Sequence, residues 1–100
     1  MMTRGTILVA DDEALARQGI ADLLQEEGYL VYQAVDGTAA LQMLDEVDVD
    51  VVLTDLRMPG ADGLAVLRKV RDACPQTMVM LMTAYASRET AVDALRLGAQ

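Results

Sequence analysis

The 100-residue sequence has no histidine, no phenylalanine and no tryptophan, a single cysteine and two prolines. Without histidine the chain lacks the side chain that titrates near neutral pH and most often ligates metals. One cysteine, Cys74, excludes an internal disulfide and a zinc site built from several thiolates. With three tyrosines as its only aromatics, the chain offers no platform on which bases could stack. Its core must be assembled from Ala, Val, Leu, Ile and Met, within a composition that is 53% hydrophobic. Cations are scarce too. Eight Lys and Arg face sixteen Asp and Glu, a net charge of −8 with a pI near 4.2, which argues against direct contact with nucleic acid. No apolar run approaches the ~20 residues of a membrane span, and Met1–Arg4 does not read as a signal peptide. These exclusions leave one acidic domain over residues 1–100, expected to be soluble and cytoplasmic.

What is present is a regular alternation. Ile7–Ala10, Val51–Thr54 and Met78–Met82 are short runs apolar on both faces, as strands buried inside a parallel sheet require. Leu30–Val35 is interrupted by Gln33 and reads as an outer strand. Helical spacing separates these runs. Ala16, Ile20, Leu23 and Leu24 form one apolar face, stopped by Gly28. Asp36-Gly37 opens a second helix carrying Ala40, Leu41 and Leu44. Asp62 is the expected N-cap of a third, with Leu64, Leu67 and Val70, which must end before Cys74-Pro75 because a residue preceding proline avoids helical geometry. Ser87 caps a fourth with Ala91, Ala94 and Leu95, closed by Gly98. The resulting β-α-β-α-β-α-β-α pattern predicts an α/β fold, a doubly wound parallel sheet with right-handed crossovers.

In such sheets ligands bind outside the carboxyl ends of the strands. The four strand ends offer Asp11-Asp12 followed by Glu13, then Asp36, Asp55 and Thr83. With strand order 2-1-3-4, strands 1 and 3 are neighbours, and Asp12 or Asp11 faces Asp55. Clustered carboxylates repel one another unless a cation joins them. An all-oxygen donor set selects a hard ion, Mg²⁺ when a phosphate shares the site. A carboxylate beside Mg²⁺ can also serve as nucleophile and form an aspartyl phosphate. Thr83 can then donate a hydrogen bond to the phosphoryl group, as can backbone N–H groups of Leu56 to Met58 and of Ala84. Each residue alone has a plainer role: an acidic helix start, a turn aspartate, a β-branched strand residue. The seven methionines read as gap-filling core, Cys74 as a bystander, and Arg68, Lys69, Arg71 and Asp72 as a solvated helix face. The coincidence of three strand ends favours the chemical reading.

Three stretches carry a family resemblance: Ile7-Leu8-Val9-Ala10-Asp11-Asp12-Glu13, Leu53-Thr54-Asp55-Leu56-Arg57-Met58-Pro59-Gly60-Ala61-Asp62-Gly63, and Met80-Leu81-Met82-Thr83-Ala84-Tyr85. In order and spacing the whole chain resembles the receiver domain of two-component response regulators, a flavodoxin-like fold. The third stretch is most similar to receivers of sigma-54-dependent activators. The resemblance implies that Asp55 accepts a phosphoryl group from a sensor histidine kinase. It further implies that Asp11, Asp12, Asp55 and the Arg57 carbonyl hold Mg²⁺, that Thr83 is the switch hydroxyl, and that an output domain in the parent protein, such as a transcription module, reads the switch. The resemblance also implies that the domain assists its own phosphotransfer and dephosphorylation without being a turnover enzyme.

The family pattern has five βα units, and these 100 residues supply four. The family's fifth-strand lysine has no counterpart, since the only lysine is Lys69, on the third helix. A fragment ending at Gln100 is the simplest explanation. Strand 4 then becomes an apolar edge, and self-association through it, as a homodimer or a swap, is expected. A receiver-like interaction module that is never phosphorylated is the alternative, supported by the missing lysine. An aspartate-nucleophile phosphohydrolase is disfavoured, because the position two after Asp12 is Ala14.

Overall fold

The computed structural model describes residues 4–56, 58 and 60–82. The chain runs β1 (Thr6–Ala10), α1 (Ala14–Glu26), β2 (Leu30–Ala34), α2 (Gly37–Glu46), β3 (Val51–Asp55), α3 (Gly63–Ala73) and β4 (Met78–Met82). All strand pairs are parallel, and the sheet order is β2-β1-β3-β4. The predicted alternation, the sheet order and the outer position of β2 are therefore observed. The fourth helix expected after Ser87 lies outside the described residues.

Helix starts follow the sequence signals. Asp36 caps α2 by accepting from the Ala39 N–H at 2.8 Å, and Asp62 caps α3 by accepting from the Ala65 N–H at 2.9 Å. Losing such a cap costs about 0.5–2 kcal/mol. Asp62→Ala is accordingly expected to lower the thermal midpoint by several degrees, which a far-UV circular dichroism melt measures. Helix α3 stops at Ala73, before Cys74-Pro75, and Gly28 closes α1 in a left-handed turn at φ +97°.

The core lies on the sheet face covered by α2 and α3. A row of residues in register, Leu8, Val52 and Val79, crosses β1, β3 and β4 at 0–3% exposure. Ala40, Leu44, Val66, Leu67 and Val70 close over this row from α2 and α3. Lys69 of α3 bridges Asp45 of α2, and that hydrogen bond raises the Lys69 pKa above its ordinary 10.5. A raised cationic pKa stabilises the fold below the ordinary value and loses its effect as pH climbs through the raised one. At neutral pH the bridge is intact, but both side chains are solvent-accessible, so it ties α2 to α3 more than it strengthens the fold.

On the opposite face, α1 lies against β1 and β2. Ile7 and Val9 are buried, Val51 and Leu53 are half-buried, and Met78 and Met80 are 47% and 43% exposed. This corrects the reading of Met78 and Met80 as core. Met78 and Met80 point away from α3, where no described element reaches them, and Val79 is buried. Helix α1 needs a similar correction. Ala21 is its only buried residue, Ala16, Ile20 and Leu24 are half-buried, and Leu23 is 65% exposed. Helical spacing identified the right stripe, and Leu23 lies at its outer margin.

Candidate functional site

Parallel strands held in register bring their carboxyl ends to one rim. Ala10 pairs with Thr54 across β1 and β3, so the residues one step further, Asp11 and Asp55, emerge side by side at the usual strand spacing of about 4.8 Å. Asp11, Asp12 and Asp55 each offer a carboxylate oxygen, and these oxygens lie within 4.8 Å of one another. Asp11 is buried at 8% exposure, Asp55 is half-buried and Asp12 faces solvent. The cluster is thus anchored at the sheet and open to solvent at its outer side.

The donor set fits a hard divalent cation. It contains oxygen only, which excludes the nitrogen and sulfur preferences of zinc or copper. Three carboxylate oxygens within 4.8 Å of one another are near enough that Asp11, Asp12 and Asp55 would be able to share one such ion.

Asp11 is held from three directions. Its N–H donates to the Ala34 carbonyl at 3.2 Å, and its Oδ1 accepts from the Glu13 N–H at 2.9 Å. Its carbonyl accepts from Arg17 Nη1 at 2.9 Å. Behind Asp55, the buried Thr54 hydroxyl donates to the Asp55 carbonyl at 2.9 Å and lies 3.9 Å from Met58 Sδ. The Gly63 N–H donates to the Leu56 carbonyl at 2.9 Å, drawing the start of α3 against the same loop. At Gly37, the first residue of α2, an added Cβ would overlap the Ala61 carbonyl oxygen, so α2 meets the loop following Asp55 backbone to side-chain-free backbone.

Of the residues singled out from the sequence, Asp11, Asp12 and Asp55 are brought together. Asp36 is not among them, because its carboxylate is used in capping α2. Thr83 and Arg57 lie outside the described residues, as does Ala84. Met82, the residue before Thr83, pairs with Asp55 across β3 and β4. Cys74 lines a groove of about 430 Å³ with Asp50 and Thr77 at the amino ends of β3 and β4, the far end of the sheet from the acidic cluster. The supporting roles of Arg17, Thr54 and Gly37 at the site escaped the sequence reading. Their signals were a cation one turn into α1, a polar residue inside an apolar strand, and a glycine directly after an N-cap.

A doubly wound α/β domain with three carboxylates at the rim of β1 and β3 defines the class of protein. A family model described as response regulator receiver domain matches residues 7–100. The regulatory protein AtoC of Escherichia coli is 43% identical over 93 residues, covering 93% of this chain and 20% of that protein. The DNA-binding transcriptional regulator NtrC of E. coli is 36% identical over 98 residues, covering 98% of this chain and 21% of that protein. The chain thus spans about a fifth of the length of the curated relatives it matches. Among solved structures, the Vibrio cholerae chemotaxis protein CheY4 superposes with a TM-score of 0.87 at 30% identity, covering 99% of this chain and 82% of that one. A Burkholderia pseudomallei response regulator with a phosphorylated aspartic acid, calcium ion and citrate gives a TM-score of 0.87 at 31% identity, covering 94% of this chain and 55% of that one.

The chain belongs to the response regulator receiver domain family of two-component signalling. Receiver domains are regulatory domains and not classical enzymes, and the fold observed here is the CheY-like, flavodoxin-type sheet.

Proposed function

We propose that residues 1–100 form a phosphoacceptor domain in which Asp55 takes a phosphoryl group from a sensor histidine kinase with Mg²⁺, and that the added charge switches an output domain in the parent protein. The observation that carries this reading is the meeting of Asp11, Asp12 and Asp55 within 4.8 Å at the rim of β1 and β3. A solved relative that carries both a phosphorylated aspartic acid and a divalent cation supports it.

Mg²⁺, when bound, neutralises charge on the transferring phosphoryl oxygens. Asp11 and Asp12 would hold it together with Asp55 and the Arg57 carbonyl. An Asp55 carboxylate oxygen attacks phosphorus, and the P–N bond of the donor phosphohistidine breaks with its electron pair going to the imidazole. Thr83 donates to the new phosphoryl group and couples it to a two-state switch. Transcription regulators of the AtoC and NtrC kind point to transcription as the output, in the cytoplasm, with the nucleic acid contacted elsewhere in the parent protein. Among the described residues β4 ends the sheet order, which supports pairing of copies along that strand; light scattering at rising concentration measures it.

The test is a time course with labelled acetyl phosphate. The chain is expected to take up one phosphoryl group per molecule only with Mg²⁺, and Asp12→Asn is expected to lower the rate by an order of magnitude or more through lost metal affinity. No uptake at any Mg²⁺ concentration would instead favour the unphosphorylated interaction module. Sustained phosphate release from many phosphomonoesters would favour a phosphohydrolase.

A further inference from the structure

We propose that Arg17 is a positioning residue for the acidic site: from α1 it fixes the Asp11 carbonyl, and through it the direction in which the Asp11 carboxylate faces Asp12, Asp55 and a divalent cation. This rests on the metal-binding reading given above. Arg17 is half-buried and makes two side-chain hydrogen bonds to different parts of the fold, Nη1 to the Asp11 carbonyl at 2.9 Å and Nε to Gln33 Oε1 on β2 at 3.2 Å. The Gln33 contact holds the guanidinium plane, so the donor aimed at Asp11 is fixed in direction as well as distance. A charged donor makes the stronger kind of hydrogen bond.

The effect on Asp11 follows from which of its groups are restrained. Its N–H is tied to β2 through Ala34 and its Oδ1 to the Glu13 N–H. Its carbonyl, the remaining backbone handle, is tied to Arg17. Among the described residues, the second carboxylate oxygen accepts no hydrogen bond, so it is available to a cation. Releasing the carbonyl lets the Asp11–Glu13 turn rotate, and the carboxylate loses the orientation that sets it within 4.8 Å of its partners. Groups that orient a metal ligand from behind typically change affinity by about 10–100-fold when removed.

The experiment is calorimetric titration of the full chain with Mg²⁺ alone, paired with thermal melts in chelator. Arg17→Met keeps the aliphatic stem and removes the donor. It is expected to weaken Mg²⁺ binding by about tenfold or more, with a small change in the metal-free melt. Arg17→Lys, which restores a cationic donor, is expected to recover part of the affinity. Gln33→Met, which frees the guanidinium plane but leaves the donor, is expected to weaken binding less than Arg17→Met. A purely structural arginine would lower the metal-free midpoint and leave the affinity unchanged. Affinity in Arg17→Met equal to that of the unsubstituted chain overturns the inference. If Arg17→Met does not fold, unchanged affinity in Gln33→Met overturns it. Failure of the unsubstituted chain to bind Mg²⁺ overturns the reading of the acidic site itself, and the inference with it.

Discussion

Leu8→Ala is expected to cost about 3–5 kcal/mol, near the upper end for buried leucines, and to lower the thermal midpoint by roughly 12–40 °C at about 4–8 °C per kcal/mol. Leu8 is fully buried in a central strand, flanked in register by Tyr32 on β2 and Val52 on β3. Strands on both sides limit collapse around the space left by the lost atoms. A domain of this size has a total stability of only about 5–15 kcal/mol, so the substitution removes a large share of it. Far-UV circular dichroism against temperature measures the loss. Leu15→Ala is the control, because Leu15 is 85% exposed and its truncation belongs with surface changes of about ±0.5 kcal/mol. If the two substitutions shift the midpoint equally, the core is not where the Leu8–Val52–Val79 row places it.

Gly37→Ala is expected to impair phosphoryl uptake far more than its single added methyl suggests. The new Cβ would overlap the Ala61 carbonyl oxygen, a backbone atom that cannot rotate aside as a side chain can. Either α2 or the loop between Asp55 and α3 must move. Overpacking of this kind costs about 1–3 kcal/mol. The larger consequence is chemical, since a displacement of about 1 Å near reacting groups can reduce a rate by about 10²-fold. Uptake from acetyl phosphate at saturating Mg²⁺ measures it. Gly19→Ala supplies the contrast: an added Cβ on α1 meets nothing within 4 Å, and removing a mid-helix glycine is expected to stabilise by about 0.5–1 kcal/mol with no change in uptake.

These contrasts also show what could be read in advance. The strand ends were legible because a parallel strand buried on both faces announces itself as an apolar run, and the first polar residue after the run must lie at the rim. Asp11, Asp12 and Asp55 followed from that rule together with the strand order. Asp36 obeyed the same rule and yet serves as a cap, since a carboxylate after a strand and before a helix satisfies both descriptions. Leu23, Met78 and Met80 were assigned to the core because periodicity identifies a face but not how far neighbouring elements extend over it. Arg17 and Gly37 were out of reach for another reason. Their importance lies in contacts between elements distant in sequence: Arg17 with Gln33, sixteen residues away, and Gly37 with Ala61. Fold and acidic cluster are properties of pattern, whereas the supports behind the cluster are properties of packing.

The account turns on Asp55 as the acceptor. Intact-mass spectrometry after incubation with acetyl phosphate and Mg²⁺ tests this most directly, on the unsubstituted chain and on Asp55→Asn. The predicted result is the mass increment of one phosphoryl group in the unsubstituted chain, lost on chelating Mg²⁺ and absent in Asp55→Asn. An equal increment in Asp55→Asn, or none in the unsubstituted chain, would contradict the account.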